Sequence, residues 1–124
     1  MSGKALELIL ASVGLSAIAQ IALKIGMGGD AARQALAHDS LWRGYLALLL
    51  VPAVATGLAA YGLSALLWLR VLAEVEVSKA YPFVALAIVL TMVLGVLVLG
   101  EVVPAWRAAG AALIVVGVVL VGLH

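Results

Sequence analysis

Residues 80–100, with the sequence AYPFVALAIVLTMVLGVLVLG, contain no charged side chain. An apolar run of about 20 residues is long enough for an α-helix to cross the hydrocarbon core of a bilayer, about 30 Å thick. A second uncharged run, residues 44–69, meets the same requirement. Of the 124 residues, 67% are hydrophobic and 10% are charged, whereas soluble domains carry about 25% charged residues. The chain is therefore predicted to be an integral membrane protein.

Two shorter apolar runs complete the predicted architecture. Residues 8–23 are followed by Lys24, whose long side chain can reach the interface and extend the buried length. The run at residues 108–123 is extended backwards to Pro104, whose fixed φ suits a helix start. We predict an all-α membrane protein, with one domain over residues 1–124 and helices at about 5–26, 43–70, 78–100 and 104–123. Pro52 lies inside the second helix and is expected to kink it.

The composition and the motifs of the sequence also exclude several classes of function. There is no cysteine, which excludes disulfides, thiol catalysis and thiolate metal sites. The net charge of +1 gives no reason to expect a nucleic-acid partner. His38 and His124 lie far in sequence from any paired acid, and no phosphate-binding glycine loop or nucleophile motif is present. We predict that the protein is not an enzyme and needs no metal or cofactor.

Polar residues recur at helical spacing in the first two predicted helices. In the first helix, every fourth residue is polar: Ser12, Ser16, Gln20 and Lys24. In the second helix, one face carries Gly57, Tyr61, Ser64 and Trp68. Because polar groups are costly in hydrocarbon, two such faces can line a groove for a substrate with hydroxyl or phosphate groups. The alternative is simple helix packing, since Ser and Gly are common at helix–helix contacts.

Charged residues flank the third predicted helix. Lys79 stands at its start, where a cation and the free N–H groups of the first turn together favour a phosphate group. Glu101 closes the helix at the opposite membrane surface. It is either an interfacial acid or an ion-pair partner of Arg107.

The fourth predicted helix carries glycines suited to close packing. Gly110 and Gly117 lie seven residues apart and therefore share one helix face. We predict that this face forms a dimer contact. The chain contains no internal repeat, so the pseudo-symmetry that transporters use would come from a second subunit, either the same chain or a paralogue. Basic residues are nearly balanced between the two membrane sides, which leaves the orientation open.

These segments resemble the small multidrug resistance proteins and the wider EamA-type drug/metabolite transporter superfamily. The resemblance is closest to the flippase subunits for undecaprenyl-phosphate-aminoarabinose. It rests on residues 11–16 with Gln20 and Lys24, on residues 67–72, 80–82 and 100–101, and on Trp106 with the glycine-rich last helix. It covers nearly the whole chain through the order and spacing of these segments. It implies a multi-pass protein of the bacterial inner membrane.

The chain departs from the drug-exporting members at two places. Those proteins carry a membrane-embedded glutamate in helix 1, eight residues before a lysine, and counting back from Lys24 leads here to Ser16. Helix 1 has no acid after Glu7. The Gly-Val-Gly element typical of their helix 3 is also missing, and residues 82–85 read PFVA. Both departures disfavour proton-coupled cation antiport and favour a groove for a neutral or anionic head group.

The resulting hypothesis is a flippase subunit that translocates a lipid-linked sugar, such as polyprenyl-phosphate-aminoarabinose, across the inner membrane as a homodimer or heterodimer. The residues predicted to contact the substrate are Ser16, Gln20, Lys24, Tyr61, Ser64, Trp68, Lys79, Tyr81 and Glu101. Two alternatives stay open. One is an exporter of small cations or drugs that uses Glu74, Glu76 or Glu101 in place of the missing helix 1 acid. The other is a non-transporting subunit that stabilises a larger membrane enzyme.

Overall fold

The computed structural model describes residues 2–123, and within them the regular structure is entirely helical. The helices are α1 (Gly3–Met27), α2 (Asp30–Leu36), α3 (Leu41–Leu49), α4 (Pro52–Glu74), α5 (Val77–Ala80), α6 (Val84–Leu99) and α7 (Ala105–Gly122), with a 3₁₀ turn at Tyr81–Phe83 between α5 and α6. Four stretches of these residues are long and apolar enough to cross a membrane: Gly3–Met27, Pro52–Glu74, Val77–Leu99 and Ala105–Gly122. The prediction of an all-α protein with four membrane helices is confirmed.

The second predicted helix differs from the structure. One kinked helix over about 43–70 was expected, but α3 ends at Leu49 and α4 begins at Pro52. Val51 has extended backbone angles, φ −74° and ψ 119°. Proline lacks an N–H group and disfavours helical angles in the preceding residue, which suits it to the first turn of a helix, the place that Pro52 takes here. The membrane span consequently runs from Pro52 to Glu74.

Helices α1 and α4 form the most extensive helix pair in the described chain. A Cβ atom added to Gly57 would lie 2.9 Å from the Leu23 side chain, and one added to Gly26 would lie 2.9 Å from the Val54 backbone nitrogen. The missing side chains therefore allow the two backbones to approach closely. The two helices also share a polar contact at Ser12, described below with the site.

A small core joins the remaining membrane helices to this pair. It consists of Ile9 and Val13 of α1, Val71 of α4, Ala80 of α5, Phe83 of the 3₁₀ turn and Val118 of α7. Phe83 is buried, and its ring lies 3.1 Å from the position that a Cβ atom of Gly122 would take. This core fixes the start of α6 against α1 and α4, which positions the wall of the site.

Helices α2 and α3 pack against each other as a short hairpin on the chain between the first two spans. Their contact consists of Ala32, Ala35 and Leu48, all of them buried. Trp42 and Tyr45 of α3 are 73% and 62% exposed. Amphipathic aromatic rings of this kind are enriched at the membrane–water interface. The hairpin therefore has the composition of an interfacial segment.

Candidate functional site

A cavity of about 240 Å³ lies between α1, α4 and the start of α6. We call it the polar groove. Its lining residues are Ser12, Val13, Ser16, Tyr61, Ser64, Ala65, Trp68, Tyr81, Val84 and Ala87. The groove thus combines three serine hydroxyls and three aromatic rings with a few small apolar side chains.

Helical periodicity explains how α1 and α4 supply the polar wall. Ser12 and Ser16 lie one turn apart on α1, and Tyr61, Ser64 and Trp68 follow one another at single-turn spacing on α4. These are the polar faces that the sequence singled out. The structure turns this part of each face toward the same cavity.

The third side of the groove depends on the interruption between α5 and α6. The 3₁₀ turn at Tyr81–Phe83 contains Pro82 in its first positions. Within this turn Tyr81 is 62% exposed and lines the groove, whereas Phe83 is buried in the core. The turn therefore adds an aromatic ring to the site while anchoring α6.

The three serine hydroxyls already donate hydrogen bonds inside the protein. Ser12 Oγ donates to the Ser64 carbonyl oxygen at 2.8 Å, which links α1 to α4. Ser16 Oγ donates to the Val13 carbonyl at 3.0 Å, and Ser64 Oγ donates to the Tyr61 carbonyl at 2.6 Å. A hydroxyl that donates its proton still has lone pairs that accept hydrogen bonds. Ser12 and Ser64 are buried, so the half-buried Ser16 is the serine that offers a ligand an acceptor rather than a donor.

The electrostatic character of the groove follows from its composition. Within residues 2–123, no Asp, Glu, Lys or Arg belongs to its lining. The remaining polar atoms are the hydroxyls of Tyr61 and Tyr81 and the indole N–H of Trp68. The groove is thus polar and aromatic but carries no formal charge.

Five of the residues predicted to contact substrate line the groove together: Ser16, Tyr61, Ser64, Trp68 and Tyr81. The other four, Gln20, Lys24, Lys79 and Glu101, are not part of its lining. Gln20 and Lys24 continue the exposed side of α1 toward its end, and Lys79 is half-buried two residues before Tyr81. Their contact with a substrate stays a prediction.

Glu101 has a local environment that the sequence did not indicate. The suggested ion pair with Arg107 is not formed, since the pairs within residues 2–123 are Arg33–Asp30 and Arg70–Glu74. Gly100 adopts the left-handed conformation with φ 69°, and the Glu101 N–H donates to the Gly95 carbonyl at 3.1 Å. A left-handed glycine ends a helix in this way and redirects the chain. The Glu101 carboxylate consequently folds back over Gly95, 2.5 Å from the position of a Cβ atom there.

A second cleft, of about 420 Å³, was not predicted. It lies between the start of α1 and the end of α4 and is lined by Lys4, Leu8, Leu66, Leu67, Arg70 and Glu74. Arg70 Nε lies 3.5 Å from Glu74 Oε1, but the Arg70 side chain is 71% exposed, so this pair contributes little stability. Lys4 and Arg70 are 66 positions apart in sequence. Only the antiparallel pairing of α1 and α4 brings them to one cleft.

Comparison with known proteins agrees with this architecture. The chain matches the EamA-like transporter family over residues 5–123. It is 40% identical to a protein of Pseudomonas aeruginosa named probable 4-amino-4-deoxy-L-arabinose-phosphoundecaprenol flippase subunit ArnE, over 81% of this chain and 89% of that protein. It is 31% identical to the protein of the same name from Pseudomonas fluorescens, over 96% of this chain and 97% of that one. No solved structure matches the chain.

These matches confirm the resemblance that the sequence segments indicated. The family covers nearly the whole chain, and the four membrane helices are those expected of a multi-pass protein of the bacterial inner membrane. The chain therefore belongs to the EamA-like transporter family.

Proposed function

We propose that this protein is a flippase subunit that moves a polyprenyl-phosphate-linked amino sugar between the leaflets of the inner membrane. The observation that carries the proposal is the polar groove, a serine- and aromatic-lined cavity within the membrane-spanning helices. Support comes from relatives up to 40% identical that are named as subunits of such a flippase.

The groove suits a sugar head group. Sugar hydroxyls can donate to the half-buried Ser16 oxygen, and a sugar ring can pack on the aromatic rings of Tyr61, Trp68 and Tyr81. A groove of about 240 Å³ encloses a head group only. The long prenyl tail would remain in lipid, which explains how so small a protein could handle so large a substrate.

The residues outside the groove are proposed to act along the path of the head group. Lys79 would attract the phosphate from its place two residues before Tyr81, since a lysine ammonium is a strong partner for phosphate. Gln20 and Lys24 continue α1 toward the opposite membrane surface, where Glu101 follows the end of α6. Contacts there would guide the head group at the other end of its path.

We also propose that the protein acts as a dimer through α7. Within residues 2–123, no atom beyond the adjoining backbone of α7 lies within 4 Å of the position that a Cβ atom of Gly110 or Gly117 would take, so this glycine face is uncovered. Glycines on an uncovered face allow a second membrane helix to approach closely. The second subunit would be another copy of this chain or a paralogue.

The experiment that tests the proposal is translocation in vesicles. The purified protein is reconstituted, a short-chain polyprenyl phosphate bearing 4-amino-4-deoxyarabinose is added to one leaflet, and its arrival in the other leaflet is measured. Replacing Trp68 and Tyr61 together by Ala is expected to slow translocation roughly tenfold or more, because the head group loses two aromatic contacts worth about 1 kcal/mol each. Trp106→Ala is the matched control, since Trp106 is 88% exposed and does not line the groove.

Two results would contradict the proposal. One is translocation by the Trp68 and Tyr61 double variant at the wild-type rate. The other is absence of lipid translocation together with proton-dependent uptake of a guanidinium cation, which would identify a cation exporter. Translocation that needs an added paralogue would instead support the heterodimer.

A further inference from the structure

We propose that the polar groove recognises the amino group of the sugar, and that the head group binds as an internal ion pair, with the ammonium in the groove and the phosphodiester outside it. This inference rests on the proposed function and adds the chemical basis of its selectivity.

The first argument concerns hydrogen-bond polarity. The hydroxyl protons of Ser12, Ser16 and Ser64 are all donated to backbone carbonyls. Ser12 and Ser64 are each 4% exposed, so the half-buried Ser16 is the serine that presents oxygen lone pairs to a ligand. A phosphate accepts hydrogen bonds and needs donors or cations around it. An ammonium has three N–H donors and no acceptor. The Ser16 oxygen therefore favours an ammonium over a phosphate.

The second argument concerns the aromatic rings. Tyr61, Trp68 and Tyr81 come from two separate segments of the chain and line the same cavity. Aromatic faces attract cations, with Trp the strongest of the three ring types. The ring electrons thus supply a weakly negative environment in the groove.

The third argument concerns the missing counter-charge. No carboxylate belongs to the groove lining in the part of the chain that the structure describes. Burying an isolated cation is expensive unless an opposite charge accompanies it. A sugar amine on a phosphodiester brings its own anion, so the head group has a net charge near zero. A groove without an acid therefore suits a zwitterion, whereas a simple organic cation would lack a partner there.

The three arguments together predict selectivity by charge at one position of the sugar. An N-acetylated sugar, or arabinose with a hydroxyl in place of the amine, keeps the phosphodiester but loses the positive charge. Such head groups would place an uncharged sugar in the groove, so the aromatic rings would lose the cation that they attract and the phosphodiester outside would lose its intramolecular partner. The amine form should therefore bind best.

The test compares three short-chain polyprenyl phosphates that differ only in the sugar: 4-amino-4-deoxyarabinose, its N-acetyl derivative, and arabinose. Binding to the full-length protein in lipid nanodiscs is measured by calorimetry. The amine form is expected to bind roughly 3- to 30-fold more tightly than either analogue. In Trp68→Leu this preference should shrink severalfold, and Trp106→Leu should retain it, because Trp106 is not part of the groove.

The outcomes separate this inference from the proposed function. Equal affinity for all three lipids would overturn the inference and leave the flippase proposal standing. Binding to none of them would overturn the flippase proposal as well. The comparison of the three lipids on the wild-type protein decides the inference by itself, so it does not depend on any variant. If Trp68→Leu fails to fold, Trp68→Phe replaces it, because phenylalanine keeps an aromatic ring but attracts a cation less strongly than tryptophan.

Discussion

Helices α4 and α7 are both apolar membrane helices, but they relate to the rest of the chain in opposite ways. On α4, the backbone at Gly57 lies so close to α1 that a Cβ atom would meet Leu23 at 2.9 Å. On α7, no other part of the described chain lies within 4 Å of the Cβ positions of Gly110 and Gly117. The α1–α4 pair also has the buried hydrogen bond from Ser12 to the Ser64 carbonyl.

The difference shows what holds membrane helices together. Lipid is as apolar as a leucine side chain, so helix association depends on close packing and interhelical hydrogen bonds rather than on hydrophobicity. The α1–α4 pair has both features within one chain. The glycine face of α7 has neither, which leaves it open to lipid or to a second subunit. The first pair is thus the frame of the groove, and α7 is the proposed assembly surface.

The largest effect is expected where the two backbones approach most closely. Gly26→Ala places a methyl group 2.9 Å from the Val54 backbone nitrogen, which cannot move without shifting α4. Overpacking of this kind should lower the free energy of unfolding by about 1–3 kcal/mol. Thermal and denaturant unfolding in detergent micelles measure it.

The control for that prediction is Gly14→Ala on the same helix. Among residues 2–123, no atom beyond the adjoining backbone of α1 lies within 4 Å of a Cβ position at Gly14, so the added methyl meets open space. Alanine is also the better helix former. Equal destabilisation by the two substitutions would show that close backbone approach does not hold α1 to α4.

A somewhat smaller effect is expected at the glycine face of α7. Gly117→Leu should weaken dimerisation roughly tenfold, because the bulky side chain keeps a second helix at a distance. The monomer should not be destabilised against unfolding, since the position is uncovered and leucine is a better helix former than glycine. Single-molecule photobleaching at varied protein-to-lipid ratios measures the dimer fraction.

The matched control is Gly62→Leu on α4, where the Cβ position is also open. This variant should dimerise like the wild type if α7 alone forms the contact. Loss of the dimer in Gly62→Leu, with retention in Gly117→Leu, would move the assembly surface from α7 to α4.

The smallest effect is expected from the hydrogen bond between α1 and α4. Ser12→Ala removes the 2.8 Å bond to the Ser64 carbonyl and should destabilise the protein by about 0.6 kcal/mol. Ser16→Ala removes a bond within its own helix and should change the unfolding free energy less. A larger loss in Ser16→Ala than in Ser12→Ala would contradict the role assigned to the interhelical bond. Denaturant titration of the two variants side by side resolves them.

Much of the groove was predictable because its walls are periodic. The four-residue spacing of Ser12 and Ser16, and the single-turn spacing of Tyr61, Ser64 and Trp68, identify one face on each helix. Tyr81 was also predicted to contact substrate, but its position in the groove depends on a 3₁₀ turn that periodicity does not reveal. Lys79 was predicted to contact substrate because it stands at a helix start, but it is not part of the groove lining.

The break before Pro52 and the fold-back of Glu101 were not predicted, and both are backbone events at single residues. Proline in an apolar run is compatible with a kinked helix or with a new helix start, and only the packing of the surrounding chain selects between them. Similarly, Gly100 permits a left-handed turn, but the observed bond from Glu101 to Gly95 depends on how the chain leaves α6.

The sequence by itself determined that this protein lies in a membrane, that it has four membrane helices, and that the first two of these helices each carry a polar face. These properties are local, because they depend on the hydropathy and spacing of residues within single helices. Only the tertiary structure decided that the two polar faces meet in one groove, that Lys4 and Arg70 share another cleft, and that the glycine face of α7 stays uncovered. Those properties depend on the register of close contacts between helices distant in sequence, and no local pattern encodes that register.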